Sequence, residues 1–134
     1  PGAMGTFGSM SDIPVGDSAT NEHVVGDLDT AVALGSGDVP VLATPRALAW
    51  LEAATCAAVA DRMEAGETTV GVSVAVDHSA ASRVGATVVA TAVVAEVDRR
   101  RVTFDVTLVN PDGITAMSGV VKRVVVDRAA FLGE

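Results

Sequence analysis

One segment of the chain, residues 45–64, carries its apolar side chains at the spacing of a helix. It contains no Gly and no Pro after Pro45, and seven Ala residues lie between positions 47 and 60. The stripe along one face comprises Leu48, Leu51, Thr55, Ala58, Val59 and Arg62. Because Thr is a favoured N-cap and Pro is favoured in the first turn, Thr44-Pro45 predicts the start of this helix, and Gly66 predicts its C-cap.

The chain after this helix is typical of β structure. Val-rich segments between short polar turns predict strands at 69–78, 86–97, 101–109 and 114–126. The third of these alternates most clearly, and one of its faces carries Val102, Phe104, Val106 and Leu108. The sequence Asn110-Pro111-Asp112-Gly113 predicts the last turn, and a further strand near 20–26 precedes the helix.

The predicted order is therefore one strand, one long helix and four strands that are joined by short turns. Short turns make neighbouring strands antiparallel. An Ala-rich helix can approach a sheet closely, so we predict an α+β fold in which a long antiparallel sheet packs around this helix. The length of 134 residues fits one domain. Residues 1–9 resemble a cloning remnant, which leaves 10–134 as the domain.

Composition and charge narrow the function classes. The formal net charge is −8, whereas nucleic-acid binding relies on Lys and Arg that neutralise phosphates. No apolar run reaches the roughly 20 residues that a membrane-spanning helix needs, and no Cys/His cluster has metal-ligand spacing. Cys56 is the only cysteine, so an intrachain disulfide is impossible, which fits a cytoplasmic protein. Its place within the helix predicts a small core residue.

Three polar residues follow a spacing that is known from one enzyme family. Thr44 is followed by Glu52 eight residues later and by His78 a further 26 residues on. The neighbouring residues agree, in the sequences Ala43-Thr44, Leu51-Glu52-Ala53 and Val76-Asp77-His78-Ser79-Ala80-Ala81. In these features the chain resembles the fluoroacetyl-CoA thioesterase group of the hotdog superfamily, over about residues 15–131.

Two further features strengthen the resemblance. Gly71 stands where this group has a glycine that lines the thioester pocket, and Ser118-Gly119 followed by Arg123 resembles its Ser-Gly-x-x-x-Arg stretch. The segment before Thr44 is shorter than in the fluoroacetyl enzyme and lacks the aromatic residues of its lid. The resemblance therefore implies the reaction class, a thioester hydrolase, but not the fluoroacetyl substrate.

Thioester hydrolysis needs a nucleophile or an activated water, a proton shuttle and donors to the developing oxyanion. The resemblance implies that Glu52 is the base or nucleophile, His78 its acid/base partner and Thr44 an orienting hydroxyl. It also implies Gly71 N–H as the oxyanion donor and Arg123 as a substrate-binding residue. Coenzyme A enters as part of the substrate, and neither a cofactor nor a metal is expected. The group's sites lie at the interface of a homodimer, and the pairing of dimers into tetramers stays open.

Each of these residues also has a simpler interpretation. Taken alone, Thr44 is an N-cap, Glu52 is a solvated charge and His78 has a structural role. Gly71 alone is a strand bulge. The arginines at 83, 99–101 and 123 either hold the phosphates of coenzyme A or are solvated. A dimer that binds acyl thioesters without hydrolysing them, and a purely structural dimer, are the alternative functions.

The helix geometry also separates two of the proposed catalytic residues. On one straight helix, Thr44 and Glu52 would lie about 12 Å apart along the axis and could not touch. Either Thr44 lies on a loop that folds back, or one residue of the set comes from a second subunit.

Overall fold

The computed structural model describes residues 13–134, so the proposed cloning remnant at 1–9 lies outside the described residues. Five strands form one antiparallel sheet: β1 Ser18–Val24, β2 Glu67–His78, β3 Thr87–Asp98, β4 Arg101–Val109 and β5 Thr115–Asp127. The helices are α1 Ala31–Leu34, α2 Thr44–Val59 and α3 Arg128–Leu132, with 3₁₀ turns at Asp27–Asp29 and Ala60–Arg62. The strand order is β1-β3-β4-β5-β2.

The core lies between α2 and one face of the sheet. The helix buries Ala47, Leu51, Ala54, Thr55 and Val59. From β4, the face that the alternation predicted is buried throughout: Val102, Phe104, Val106 and Leu108. Three of the buried residues of α2 are Ala or Val, and these small side chains let the helix pack closely against a mostly aliphatic sheet. The predicted α+β arrangement is therefore confirmed.

The ends of α2 differ from the prediction. The N-cap is Ala43, and Thr44 is the first helical residue, because its hydroxyl bonds to a distant side chain rather than to the helix backbone. The helix ends at Val59 and tightens into a 3₁₀ turn. Gly66 is therefore not the C-cap. It lies in the turn that enters β2, at a φ of +85°, where a glycine avoids the strain of a left-handed backbone.

Cys56 is exposed, so the expectation of a core residue was wrong. It lies on the outer face of α2, which also exposes Ala49, Ala53 and Ala57. The helix thus carries small apolar side chains on its outer face as well as on its core face, and the periodic pattern alone did not distinguish the two.

The ends of the sheet carry different residues. The end of β2 at His78 meets the start of β5, the β4–β5 turn and, through the Thr44–His78 contact, the start of α2. The turn at Arg99-Arg100 lies at the opposite end, beyond the nine residues of β4. A strand of that length spans about 30 Å. Within one chain, this arginine run is therefore remote from Thr44 and His78.

Strand β2 is an edge strand that pairs with β5 alone. Its middle is exposed, including Val72 and Val74 at 48% and 41% of their full exposure. Exposed apolar side chains on an unpaired strand edge are typical of a surface that another strand covers. Within residues 13–134, no helix has the length and apolar character needed to cross a membrane.

Candidate active site

Thr44 and His78 meet at one end of the sheet. The Thr44 hydroxyl lies 2.7 Å from His78 Nδ1, and the two residues are 34 positions apart in the chain. The contact forms because α2 begins where β2 ends. A hydroxyl that donates to a neutral imidazole nitrogen is polarised toward an alkoxide, which is how a His activates a Ser or Thr hydroxyl or a water beside it.

The environment of His78 favours its neutral form. Burial lowers the pKa of His78 below its ordinary value of 6.5, and the backbone of Ala80 opposes this only in part. Its Nε2 is buried and has no hydrogen-bond partner among the residues that the structure describes. At neutral pH this imidazole can therefore accept a proton from Thr44 or from a water.

Glu52 belongs to a second polar cluster, halfway along α2. Its Oε2 lies 3.4 Å from Arg123 Nη1. Arg123 in turn donates to the Thr69 hydroxyl at 2.9 Å and to the Thr69 carbonyl at 3.1 Å. The Arg123 side chain is only 9% exposed and that of Glu52 is 36% exposed. Arg123 is thus a buried anchor that holds the carboxylate in place, a position that does not suit a contact to the phosphates of coenzyme A.

Gly71 lies directly against the Glu52 carboxylate. A Cβ atom at Gly71 would be 2.9 Å from Glu52 Oε2 and 3.4 Å from Arg123 Nη1. The pairing of β2 with β5 also shifts register between Gly71 and Ser73, so the bulge interpretation of this glycine holds as well. The missing side chain lets the carboxylate approach the strand, and the role of the Gly71 N–H as an oxyanion donor stays a prediction.

The three proposed catalytic residues do not form one cluster within a chain. Thr44 contacts His78, whereas Glu52 contacts Arg123, and both Thr44 and Glu52 lie on α2. Their eight-residue separation corresponds to about 12 Å along the helix axis. The possibility that Thr44 lies on a loop that folds back is therefore wrong.

Sequence reasoning missed a residue that holds the start of α2. The Asp29 carbonyl accepts from Ala43 N at 2.9 Å, and the Asp29 carboxylate lies 3.0 Å from Arg46 Nε. These contacts flank Thr44 on both sides and fix the backbone that carries it. A pattern search had no signal for Asp29, because the short segment around it has no strong periodicity.

Comparison with known families decides the class of the protein. The family model described as fluoroacetyl-CoA-specific thioesterase (FlK) matches residues 25–129. The chain belongs to this family. It is therefore a thioesterase, an enzyme of the class that hydrolyses acyl-CoA thioesters, which confirms the reaction class predicted from Thr44, Glu52 and His78.

Several solved structures of thioesterases are similar to this chain and share its fold. The fluoroacetyl-CoA thioesterase FlK is 28% identical with a TM-score of 0.84, over 90% of this chain and 93% of that one. A variant of FlK in complex with fluoroacetate and CoA is 29% identical, with a TM-score of 0.82, over 88% and 98%. A thioesterase superfamily member from Thermus thermophilus is 26% identical, with a TM-score of 0.86, over 92% and 91%.

The hotdog architecture is confirmed by a hot-dog-like protein from Thermanaerovibrio acidaminovorans. It is 23% identical, with a TM-score of 0.82, over 90% of this chain and 88% of that chain. A search of curated protein sequences found no match to this chain. The roles of Thr44, Glu52, His78, Gly71 and Arg123 in this thioesterase stay predictions.

Proposed function

We propose that this thioesterase hydrolyses a small acyl-CoA to the free acid and coenzyme A, in pockets shared by two protomers. In each pocket, Thr44 and His78 come from one protomer and Glu52 comes from the other. The observation that carries the proposal is the 2.7 Å contact between the Thr44 hydroxyl and His78 Nδ1, which places an activated hydroxyl beside a proton acceptor.

The proposed reaction uses each group at a defined atom. His78 Nδ1 takes the proton of the Thr44 hydroxyl, or of a water that this hydroxyl positions, as attack on the thioester carbonyl begins. Collapse of the tetrahedral intermediate breaks the C–S bond, and His78 returns the proton to the leaving thiolate of coenzyme A. Where Thr44 is the attacking group, a water activated by His78 then hydrolyses the acyl ester in the same way. The Gly71 N–H donates to the developing oxyanion, because a strand without a side chain at this position lets the carbonyl approach. The carboxylate of Glu52 acts as the second base or as the nucleophile, and Arg123 orients it.

Two surfaces support a homodimer. The exposed edge of β2 offers unpaired backbone groups and two exposed Val side chains to a second sheet. The outer face of α2 carries Ala49, Ala53, Cys56 and Ala57, which are small enough for close contact with another element. An isologous pairing about a two-fold axis would bring α2 of each protomer toward the other. Such an arrangement can unite Glu52 with the partner's Thr44–His78 pair.

The acyl group is proposed to be small and aliphatic. The relative FlK is described as specific for fluoroacetyl-CoA. In this chain, the segment 31–42 before Thr44 contains no aromatic residue, and it exposes Val32, Leu34 and Val39 instead. Aliphatic side chains can enclose a short acyl chain, but they cannot reproduce aromatic contacts to it.

The direct test is thiol release from a panel of acyl-CoAs that includes acetyl, fluoroacetyl, propionyl and butyryl thioesters. We expect hydrolysis of at least one member, and the ratio of kcat/KM values across the panel identifies the acyl group. Binding of acyl-CoAs without any thiol release would contradict catalysis and favour the binding module.

If the site is shared between protomers, two inactive variants should complement each other in a mixed dimer. We expect Glu52→Gln and His78→Ala each to be inactive as a homodimer. Each mixed dimer of the two variants has one intact site of two, so the mixed dimer purified by two different affinity tags should show about half of native activity. Thiol release by this purified mixed dimer measures the expected recovery. Activity no higher than that of either homodimer would show that the set is not shared in this way.

The lowered pKa of His78 predicts the pH dependence of hydrolysis. The neutral imidazole is the active form, so kcat/KM should fall as the pH decreases through the pKa of His78, with a midpoint below 6.5. Rates measured from about pH 5 to about pH 8 check this. His23→Gln is the matched control, because His23 is the other histidine of the chain. Its ring stacks on that of Trp50, with the ring centroids 4.5 Å apart, whereas the Thr44 hydroxyl contacts His78. A midpoint above 6.5, or one that His23→Gln moves, would contradict the assignment.

A further inference from the structure

A cleft lies between the β2–β3 loop and the β4–β5 turn, at the end of the sheet that carries His78. It has a volume of about 240 Å³ and lies between two walls, one formed by Ala81, Ser82 and Arg83 and the other by Asn110, Pro111 and Asp112. A second depression of about 220 Å³ is lined by residues 78–81. Since Ala81 lines both, the two depressions adjoin one another between His78 and Arg83, and together they are called the groove.

Buried hydrogen bonds tie the two walls of the cleft together. Ser82 is 1% exposed, and its hydroxyl donates to Asn110 Oδ1. Asn110 Nδ2 donates back to the Ala81 carbonyl at 3.0 Å. The backbone of Arg83 forms a β-bridge with Val41, close to the start of α2. Both walls are thus anchored to the elements that carry Thr44 and His78, and the shape of the groove is fixed by these hydrogen bonds.

The charge distribution singles out Arg83. Of the nine Lys and Arg residues, four arginines are engaged in ion pairs: Arg46, Arg62, Arg100 and Arg123. Arg99, Arg101 and Arg128 lie at the opposite end of the sheet, and Lys122 lies within β5. Across residues 13–134, Arg83 is therefore the one arginine at the His78 end without an acidic partner. The nearby Asp112 carboxylate accepts from the Ile114 N–H.

We infer that Arg83 binds a phosphate of the carrier arm of the substrate, and that the groove holds the arm whose thioester reaches Thr44 and His78. This rests on the proposed function. His78 and Arg83 are five residues apart, so no more than about 18 Å separates them. An extended pantetheine arm links its thioester to its first phosphate over a comparable length. An unpaired guanidinium in an acidic protein is suited to a phosphate, since it offers several N–H donors to one anion.

Calorimetric titration with free coenzyme A and with pantetheine, which has no phosphate, tests the inference without turnover. We expect Arg83→Ala to weaken coenzyme A binding about two- to fivefold, as loss of an exposed charged contact would, and to leave pantetheine binding unchanged. Arg83→Lys should recover part of the affinity. Higher salt should weaken coenzyme A binding in the native protein more than in Arg83→Ala. Arg99→Ala is the matched control, and it should bind coenzyme A as the native protein does.

The same phosphate occurs on phosphopantetheine carried by an acyl carrier protein, and a second comparison separates the two sources. If Arg83→Ala weakens the binding of free coenzyme A, the substrate is an acyl-CoA. If Arg83→Ala weakens only the binding of the thioester on the carrier protein, the substrate is the acyl carrier protein. Equal affinity of native and Arg83→Ala protein for every phosphate-bearing ligand would overturn the inference. The inference would also be overturned if Arg83→Ala weakened the binding of coenzyme A and of pantetheine equally. Coenzyme A binding without thiol release would contradict the proposed hydrolysis instead.

Discussion

Glu52→Gln and His78→Ala are each expected to lower kcat for acyl-CoA hydrolysis by about a hundredfold or more, the lower range for loss of a general acid or base. His78→Ala removes the acceptor that lies 2.7 Å from the Thr44 hydroxyl. Glu52→Gln removes the negative charge but keeps an oxygen that can still accept from Arg123, so the buried guanidinium retains a partner. Steady-state thiol release with the best acyl-CoA of the panel measures both effects.

The choice of variants separates catalysis from stability. Glu52→Ala would leave the Arg123 charge buried without its carboxylate and would confound a loss of activity with unfolding. The isosteric Gln avoids this, and urea unfolding of both variants should remain close to that of the native protein. Asp77→Asn is the matched control, because Asp77 is the exposed neighbour of His78. If either catalytic variant kept more than about a tenth of native kcat, its assigned role would be wrong.

Gly119→Ala is expected to destabilise the protein strongly, although the change adds one methyl group. A Cβ atom at Gly119 would lie 2.1 Å from the Ala75 carbonyl oxygen and 2.7 Å from Val76 Cα. Both are backbone atoms of β2, and they cannot yield unless β2 separates from β5. We expect the free energy of unfolding to fall by about 3 kcal/mol or more, the upper range for overpacking, as measured by urea denaturation.

Ser118→Ala is the control for this prediction. Ser118 precedes Gly119 on β5, already carries a Cβ atom and lies opposite Asp77 in the sheet. Its replacement should change the free energy of unfolding by no more than about 0.5 kcal/mol. Gly119→Ala should also lower activity, since β2 carries His78 two residues beyond the site of strain. Equal unfolding midpoints for Gly119→Ala and the native protein would contradict this account.

Gly119 and Arg123, which the resemblance identified on the last strand, have separate structural roles. The resemblance marked Gly119 as part of a stretch that ends at Arg123, and it implied substrate binding for Arg123 but no role for Gly119. In the structure, Gly119 permits close approach of β5 to β2, and Arg123 anchors Glu52 from the same strand. One strand therefore supports both polar clusters. The periodicity of β5 predicted the strand but contained no information on either contact.

The helix termini show where local patterns are insufficient. Thr44-Pro45 correctly predicted where the helix begins, but Thr44 was expected to cap it, and its hydroxyl bonds to His78 instead. Gly66 was expected to end the helix, which stops at Val59. Capping statistics describe bonds within a few residues, whereas the partner of Thr44 lies 34 residues away. The tertiary contact replaced the local one.

The sequence by itself determined the succession of the strands and the central helix along the chain, the buried face of β4 and the resemblance that identified a thioesterase, whereas the position of β2 beside β5 in the sheet was not predicted. These are local or family-wide patterns, because the alternation of side chains and their helical period are visible within a short window. The homodimer, the cytoplasmic location and the absence of a cofactor stay predictions of the same analysis.

Only the tertiary structure decided which polar side chains meet. Glu52 and Arg123 are 71 residues apart, and their ion pair depends on the register of β5 and on the placement of α2 across the sheet. The same packing keeps Glu52 away from Thr44 and leaves Arg83, within residues 13–134, without an acidic partner beside the groove. Such contacts arise from the global arrangement of elements, because a side chain's partner is set by strand pairing and helix packing rather than by its neighbours in sequence.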